Sequence, residues 1–416
     1  MKRPLCICST KRDPSSLPYE IVERKGKGHP DTLADALAEH LSCVYSRFTL
    51  KNFAAILRHQ FDKTAIMCGR SKVAFGSGEL IDPIRVLLNG RASARLGEHN
   101  IPIRDLLTEE TRNFFRSRFP MLNPQRDIRI IFEVRSGPNT TTGGIHGDAD
   151  DSNAPIHYRF DPRSLNDLPE TRRVESNDTS LGCFWAPHTP LERLVLSIEH
   201  TLTSRLATSV GDWVGSDIKI MATRNDNQVS LVVAVPILCQ HTHTAEEYFS
   251  RIRLIEEFIR SLCSDQTPQY RLVDLVVNSG DDLHGRKLYM NFTGSSIESG
   301  DEGLVGRGNR MGGLITPCRP YTMEGIAGKN PRYHVGKVYS VAAYEIASRL
   351  FNKHGISSNV FLINRMAEPL ATPWRAIIET PAQGAPANFV EEVFSDVLDH
   401  MDSLTRSIVD GAYPLY

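Results

Sequence analysis

The chain has 416 residues, more than one hydrophobic core usually supports, so two or three compact units are expected. Hydrophobic residues make up 40% and charged residues 23%, the balance of an ordinary soluble globular protein. A formal net charge of −1 excludes a global attraction to nucleic acid or to an anionic membrane, so any anion must be bound by a local cluster of charge.

The N-terminus is basic but carries only a short apolar patch over 4–8, so no secretory signal is expected. A first helix begins at Pro30, with Leu33, Leu37, Leu41 and Val44 at helical spacing. Strands near 53–60 and 64–68, a helix at 103–118 and a strand at 128–134 complete a first unit. A polar stretch over 137–181, rich in Gly, Asn, Asp, Thr and Pro, reads as a long loop or insertion. A second unit begins at Pro190, with Leu191, Leu194, Leu202 and Leu206 on one stripe. Strands at 217–223 and 228–235, a helix at 245–263 and strands at 271–277 and 287–293 follow. A third begins near Val338, where Val341, Tyr344, Ile346, Ala347 and Leu350 mark a helix. Strands at 358–364 and 374–379 and a C-terminal helix at 389–409 complete it.

Helix, two strands, helix and strand, three times over, predict the α+β class. The expected form is three similar α+β units in a pseudo-threefold arrangement, helices packed on one face of mixed sheets. The expected boundaries are 20–136, the loop or insertion 137–182, then 183–298 and 299–416, with segments free to exchange between units. The longest apolar run, 229–238, suits a buried strand and is too short to span a bilayer. Eight scattered cysteines lack zinc-site spacing, and Cys6-Ile-Cys8 is too tight for one; reduced thiols in a cytoplasmic protein are expected. Asn139, Asn177 and Asn291 open glycosylation-type triplets that are read as coincidental.

The chemistry concentrates in a few segments. Residues 300–313 hold six glycines with Asp301, Arg307 and Arg310, and 328–337 add Lys329, His334 and Lys337. Glycines let backbone amides approach an anion, and the cations add donors, so a polyphosphate pocket is expected. Neither a P-loop nor a dinucleotide-binding glycine fingerprint is present. In Glu-Arg-Lys-Gly-Lys-Gly-His-Pro-Asp over 23–31, Pro30 suits a first helical turn. His29 would then stand at the helix mouth, facing phosphate, with Asp31 and Glu23 as candidate Mg²⁺ ligands; a simple helix cap is the plainer reading. Asp217 and Lys219 share one strand face and suit a ribose hydroxyl and a phosphate, or equally a cross-strand ion pair. Asp178 can hold an ammonium group and Trp185 can pack on a planar or sulfur-bearing ligand. Asp62 and Glu79 are isolated acids near the glycines of 69–78, Glu79 being a candidate substrate contact and a solvated charge the plainer reading of either. No nucleophile–base pair stands out, so the pocket is expected to bind and orient charge.

These segments, taken in order, resemble the S-adenosylmethionine synthetase family of archaeal type. The resemblance rests on the 23–31 segment, Asp-Thr-Ser-Leu-Gly over 178–182, Asp-Ile-Lys over 217–219, and the two glycine-rich blocks. It extends from about Glu23 to the C-terminus. It implies that methionine sulfur attacks C5′ of ATP, releasing triphosphate that is then cleaved to pyrophosphate and phosphate. By motif position His29 resembles the group at the leaving oxygen, Asp31 the Mg²⁺ ligand, with Glu23 on the same segment, and Asp178 the acid on the methionine side. Asp217 and Lys219 resemble an adenosine- and phosphate-binding pair. Asp301, Arg307 and Lys329 resemble nucleotide and triphosphate contacts, and His334 a further phosphate contact. The family further implies two Mg²⁺ ions, K⁺ as a possible activator, and a homodimer or dimer of dimers with active sites between subunits.

Thr32 and Gly308 stand where the bacterial and eukaryotic branch has lysines, and Arg310 or Lys337 is expected to supply the missing charge. Phe61, Phe184 and Trp185 also depart from the archaeal pattern. They motivate an alternative, a paralogue that adenosylates a different thioether or selenoether. A nucleotide-binding homologue without turnover is a third reading.

Overall fold

A computed structural model of the protein describes residues 4–10, 13–137, 159–204, 211–282, 284, 287–381 and 386–416. Among them are helices α1 (Pro30–Phe53), α2 (Ile103–Arg118), α3 (Pro124–Asp127), α4 (Pro190–Ser204), α5 (Ala245–Gln266), α6 (Val335–His354), α7 (Ala387–Asp399) and α8 (Met401–Val409). With the mixed sheets they confirm the α+β class.

Three large sheets repeat one pairing order. In the first, Ile128–Arg135 runs parallel to Ile84–Ala92, which is antiparallel to Ala65–Met67, which is antiparallel to Gly303–Leu304. In the second, Arg271–Val277 is parallel to Gln228–Ala234, and antiparallel steps lead to Lys219–Asn225 and Tyr19–Lys25. In the third, Leu5–Thr10 is parallel to Arg375–Pro381, and antiparallel steps lead to Ser358–Asn364 and Ser180–Ala186.

The last strand of each sheet is borrowed in rotation. The strand before α1 joins the second sheet, that before α4 joins the third, and Gly303–Leu304, before α6, joins the first. The N-terminal strand Leu5–Thr10 takes the parallel edge that the third unit's own chain does not supply.

Each sheet has a separate core. Leu33, Leu37 and Leu41 of α1 meet Val86, Leu88 and Phe115 in the first. Leu191, Leu194 and Ile198 of α4 meet Ile220, Leu231 and Val233 in the second. Val338, Ala342 and Ile346 of α6 meet Val360, Leu362 and Ile378 in the third. Lys219–Asn225 alternates exposed and buried along its length, the period-two signature of a sheet with one covered face.

The expected helix at 389–409 is two helices joined at His400, a break that no glycine or proline signals. The expected strand at 287–293 contracts to Met290–Asn291. The hairpin Arg70–Ala74 with Ser77–Asp82 and the strand Ile84–Ala92 are additions to the sequence reading. The alternation of buried Ile84, Val86 and Leu88 was the available signal for the latter.

Of the polar stretch at 137–181, residues 138–158, with Asn139, lie outside the described residues. The remainder is pinned by ion pairs, notably Arg58 with both oxygens of Glu170 at 2.9 and 3.0 Å. Asn177 accepts from the Val335 amide and Asn291 is buried, so both serve the fold. All eight cysteines are free thiols.

Candidate active site

Borrowed strands place the 23–31 segment beside Asp217 and Lys219. Lys25 lies opposite Lys219 in the second sheet, and Glu23 opposite Met221. Lys219 Nζ stands 3.3 Å from Glu23 Oε1, so this strand carries a cross-strand ion pair. The chain after Lys25 runs tightly against 216–218. A Cβ on Gly28 would fall 2.1 Å from Ser216 Oγ and 2.6 Å from its carbonyl carbon, so no other residue fits there.

His29 caps α1 with extended backbone (φ −63°, ψ 136°), and its Nδ1 accepts from the Asp31 amide at 3.2 Å. Nδ1 as acceptor leaves the proton on Nε2, which makes His29 a neutral donor. Burial is the largest effect and pushes its pKa down to about 4; the Asp31 and Asp301 charges oppose this, while Lys25 and Lys219 reinforce it. Asp31, Asp301, Lys25 and Lys219 are thus the charges that act on this imidazole.

Asp31 Oδ2 receives Lys25 Nζ at 2.9 Å, and Oδ1 receives the Leu304 amide at 3.1 Å. Asp217, only 2% exposed, accepts from the Ser296 amide at 2.8 Å. Burial raises its pKa to about 7, against the Ser296 hydrogen bonds and with a contribution from Asp301. Asp301 is exposed at the edge of this cluster, and the Arg307 side chain is also exposed.

A second cluster forms at the start of α6. Lys329 Nζ contacts Glu324 Oε1 and lies 4.0 Å from Asp62 Oδ2. Burial pushes its ammonium down to about 8 against the pull of Asp62 and Asp178, which brings the exposed Asp178 into the same neighbourhood. His334 caps α6; it is buried, its Nδ1 has no hydrogen-bond partner among the described residues, and burial with the Lys329 and Lys337 charges holds it well below the ordinary range. Lys337 is fully buried, and its Nζ donates to Glu39 Oε1 and Oε2 at 2.7 and 2.6 Å and to the Lys329 carbonyl at 2.7 Å.

Helix α1 joins the two clusters through acids one turn apart. Asp31, Asp35 and Glu39 accept from the amides of Leu304, Gly306 and Gly328 at 3.1, 2.8 and 2.9 Å. Three amides of the expected phosphate cradle are thus held by the protein's own carboxylates. Arg310 donates through both terminal nitrogens to the Gly306 carbonyl at 2.9 Å. Asp35, Glu39, Glu324 and Lys25 were absent from the sequence reading. Acids at i, i+4 and i+8 on a largely apolar helix were the available signal for the first two.

Glu79 stands apart from these contacts, whereas Trp185 lines a small cavity together with Asp35, Gly306, Arg310 and Glu324. Trp185 is buried in the third core, stacked on Phe184 at 4.9 Å, and its indole N–H has no hydrogen-bond partner among the described residues. The cavity beside it has a volume of ≈ 20 Å³, enough for a water and not for an amino acid. Phe61 is likewise core, stacked on His59 at 5.3 Å. Glu79 is exposed on the hairpin opposite Lys72.

The model of the S-adenosylmethionine synthetase (AdoMet synthetase) family matches residues 7–412. The chain belongs to that family. An S-adenosylmethionine synthase of Hyperthermus butylicus is 34% identical over 431 residues, covering 100% of both chains. One from Thermoplasma acidophilum is 32% identical over 95% of both. Among solved structures, an unusual S-adenosylmethionine synthetase from Campylobacter jejuni superposes with a TM-score of 0.50 at 14% identity. It covers 95% of this chain and 89% of that one, a likeness of fold alone.

Proposed function

We propose that this chain is an S-adenosylmethionine synthase acting on ATP and L-methionine. The observation that carries the reading is the family match over 7–412, in a chain whose neutral His29 stands at the N-terminus of α1 under the charges of Asp31, Asp301 and Lys219. A thioether attacks without losing a proton, so the enzyme needs no base for that step. The sulfur lone pair forms the S–C5′ bond as the C5′–O bond breaks, and the electron pair leaves with the triphosphate. Catalysis then consists of alignment and of neutralising the charge that builds on the leaving oxygen.

His29, with Nε2–H free to donate, stabilises that oxygen, and Lys219 and Arg307 carry the triphosphate charge. Asp217 and Asp301 orient the nucleoside, while Lys329 and His334 serve the phosphates. Asp178 holds the amino-acid ammonium. Arg310 and Lys337 act from behind, through the backbone of the two loops. Glu79 and Trp185, expected from sequence to contact substrate, are assigned no step here.

Mg²⁺ ordinarily takes one or two carboxylates and completes its shell with phosphate oxygens and water. Among the described residues no three His, Cys, Asp or Glu side chains form an all-protein cage, a donor set that suits this mode. Asp31, with Glu23 on the same segment, would hold the ion, and each carboxylate oxygen has a lone pair beyond the hydrogen bonds described. When bound, Mg²⁺ neutralises triphosphate charge; two ions and an activating K⁺ are part of the proposal. So are a homodimer or dimer pair with sites between subunits, and a cytoplasmic setting, which suits eight free thiols. No helix is long and apolar enough to cross a membrane among the described residues.

The test is direct. Pure protein with ATP, Mg²⁺, K⁺ and methionine should yield S-adenosylmethionine, pyrophosphate and phosphate in equal amounts. Product only with another thioether would overturn the acceptor, and ATP binding without triphosphate release would overturn the activity.

A further inference from the structure

Asp35 is a buried acid that the reaction itself does not require. It lies one turn beyond Asp31 on α1, is 3% exposed, and accepts the Gly306 amide at 2.8 Å. Burial raises its pKa to about 7, so the fold keeps a carboxyl where an apolar residue would be easier to bury. The Gly306 and Gly308 amides and the Arg310 charge favour its ionised form. A Cβ on Gly308 would fall 2.4 Å from Asp35 Oδ2, so the loop is drawn down onto the carboxylate.

The segment so held presents Arg307. On its N-terminal side, Gly306 gives its N–H to Asp35 and its carbonyl to both terminal nitrogens of Arg310. Arg307 itself donates its N–H to the Leu304 carbonyl at 3.2 Å, and its carbonyl accepts from Lys25 Nζ at 2.8 Å. Every polar backbone group from Gly306 N to Arg307 O is therefore engaged, while the guanidinium stands in solvent. A fixed backbone beneath an exposed cation is preorganisation: the side chain is aimed before its ligand arrives.

We infer that Asp35 is a positioning residue for Arg307, holding the 304–310 loop so that the guanidinium meets the triphosphate in register with His29. The inference rests on the function proposed above, since it needs a triphosphate in the site. Asp35 touches no substrate and acts only through the loop. Its loss should therefore be felt through Arg307 and add little once Arg307 is gone.

A double-mutant cycle reads this. Wild type, Asp35→Ala, Arg307→Ala and the double variant are compared for kcat and KM of S-adenosylmethionine formation. Affinity for inorganic tripolyphosphate is measured calorimetrically on the same four proteins. Asp35→Ala should lower kcat/KM for ATP by about a hundredfold, the scale of a 1 Å misplacement, with KM for methionine unchanged. It should also weaken tripolyphosphate, and the double variant should match Arg307→Ala in both assays. Losses that multiply in the double variant would overturn the inference. Asp35→Asn keeps the volume and one acceptor oxygen for Gly306; it should restore part of the activity, and it replaces alanine in the cycle if alanine prevents folding. Wild type that makes no S-adenosylmethionine yet binds tripolyphosphate would overturn the activity reading while leaving the cycle readable through affinity.

Discussion

The two ends of the acidic stripe on α1 treat charge in opposite ways. At the His29 end, the Lys219 side chain is 46% exposed and Arg307 reaches into solvent. About 12 Å along the axis, at 1.5 Å per residue over eight residues, Lys337 is wholly enclosed, with three acceptors around its three donors. Both ends carry lysine and a carboxylate inside motifs of the same family. One end leaves Arg307 and Lys219, the latter paired with Glu23, exposed where a ligand can reach them, and the other consumes a buried cation to hold the loop that carries Lys329. The lesson is that a charged motif divides into groups that act and groups that aim. Burial beside a matched carboxylate separates them.

The largest effect that can break this division is on stability. Among the described residues, Lys337→Met leaves buried Glu39 with the Gly328 amide and Cys43 as its partners. An ion left unpaired inside a protein costs about 3–5 kcal/mol, which a denaturant titration would read. A Lys337→Met protein of normal stability that no longer binds ATP would put this ammonium in the ligand site and erase the contrast.

At the other end the expected loss is in rate. His29→Ala and Lys219→Met should each lower kcat by about a hundredfold or more, through lost stabilisation of the leaving charge. The unfolding midpoint of Lys219→Met should stay near wild type, while His29→Ala should lose about 1 kcal/mol with the α1 cap. Near-normal turnover in both would remove these residues from the reaction.

This division explains how far the sequence could be read. The three repeats were legible because Leu33, Leu37 and Leu41, and their counterparts in α4 and α6, keep strict helical spacing. The rotation of borrowed strands was not. Tyr19–Lys25 was not among the expected strands, and only tertiary structure pairs it with Lys219–Asn225. The glycine-rich blocks read as a cradle whose amides face phosphate, but Asp31, Asp35 and Glu39 take three of those amides. A glycine's need for close approach is visible in sequence; the object approached is not.

A smaller effect sharpens the boundary between the two kinds of cation, because Lys329 lies between them. It is buried and touches Glu324, yet its ammonium is held at about 8 mainly by desolvation. Lysine is charged below its pKa, so kcat/KM for ATP should fall as pH rises through about 8. His29, neutral above about 4, adds no acid limb until near that pH. Lys329→Arg keeps its charge throughout and should remove the alkaline limb. An unchanged limb in that variant would assign it to another group.

The smallest effect concerns the acceptor. Phe61 and Trp185 suggested an altered amino-acid pocket because they depart from the family pattern. Phe61 instead meets Tyr45 edge-on at 5.9 Å and His59 face-on at 5.3 Å in the first core, where its backbone N–H also holds the Gly328 carbonyl at 2.8 Å. The side chain packs and the backbone fastens the Lys329 loop, so an unusual side chain here need not mean an unusual substrate. Phe61→Leu keeps the backbone bond and should destabilise by about 1 kcal/mol, the worth of an aromatic contact, with KM for methionine unchanged. A shift in preference toward another thioether, at unaltered stability, would return Phe61 to the pocket and reopen the question of the nucleophile.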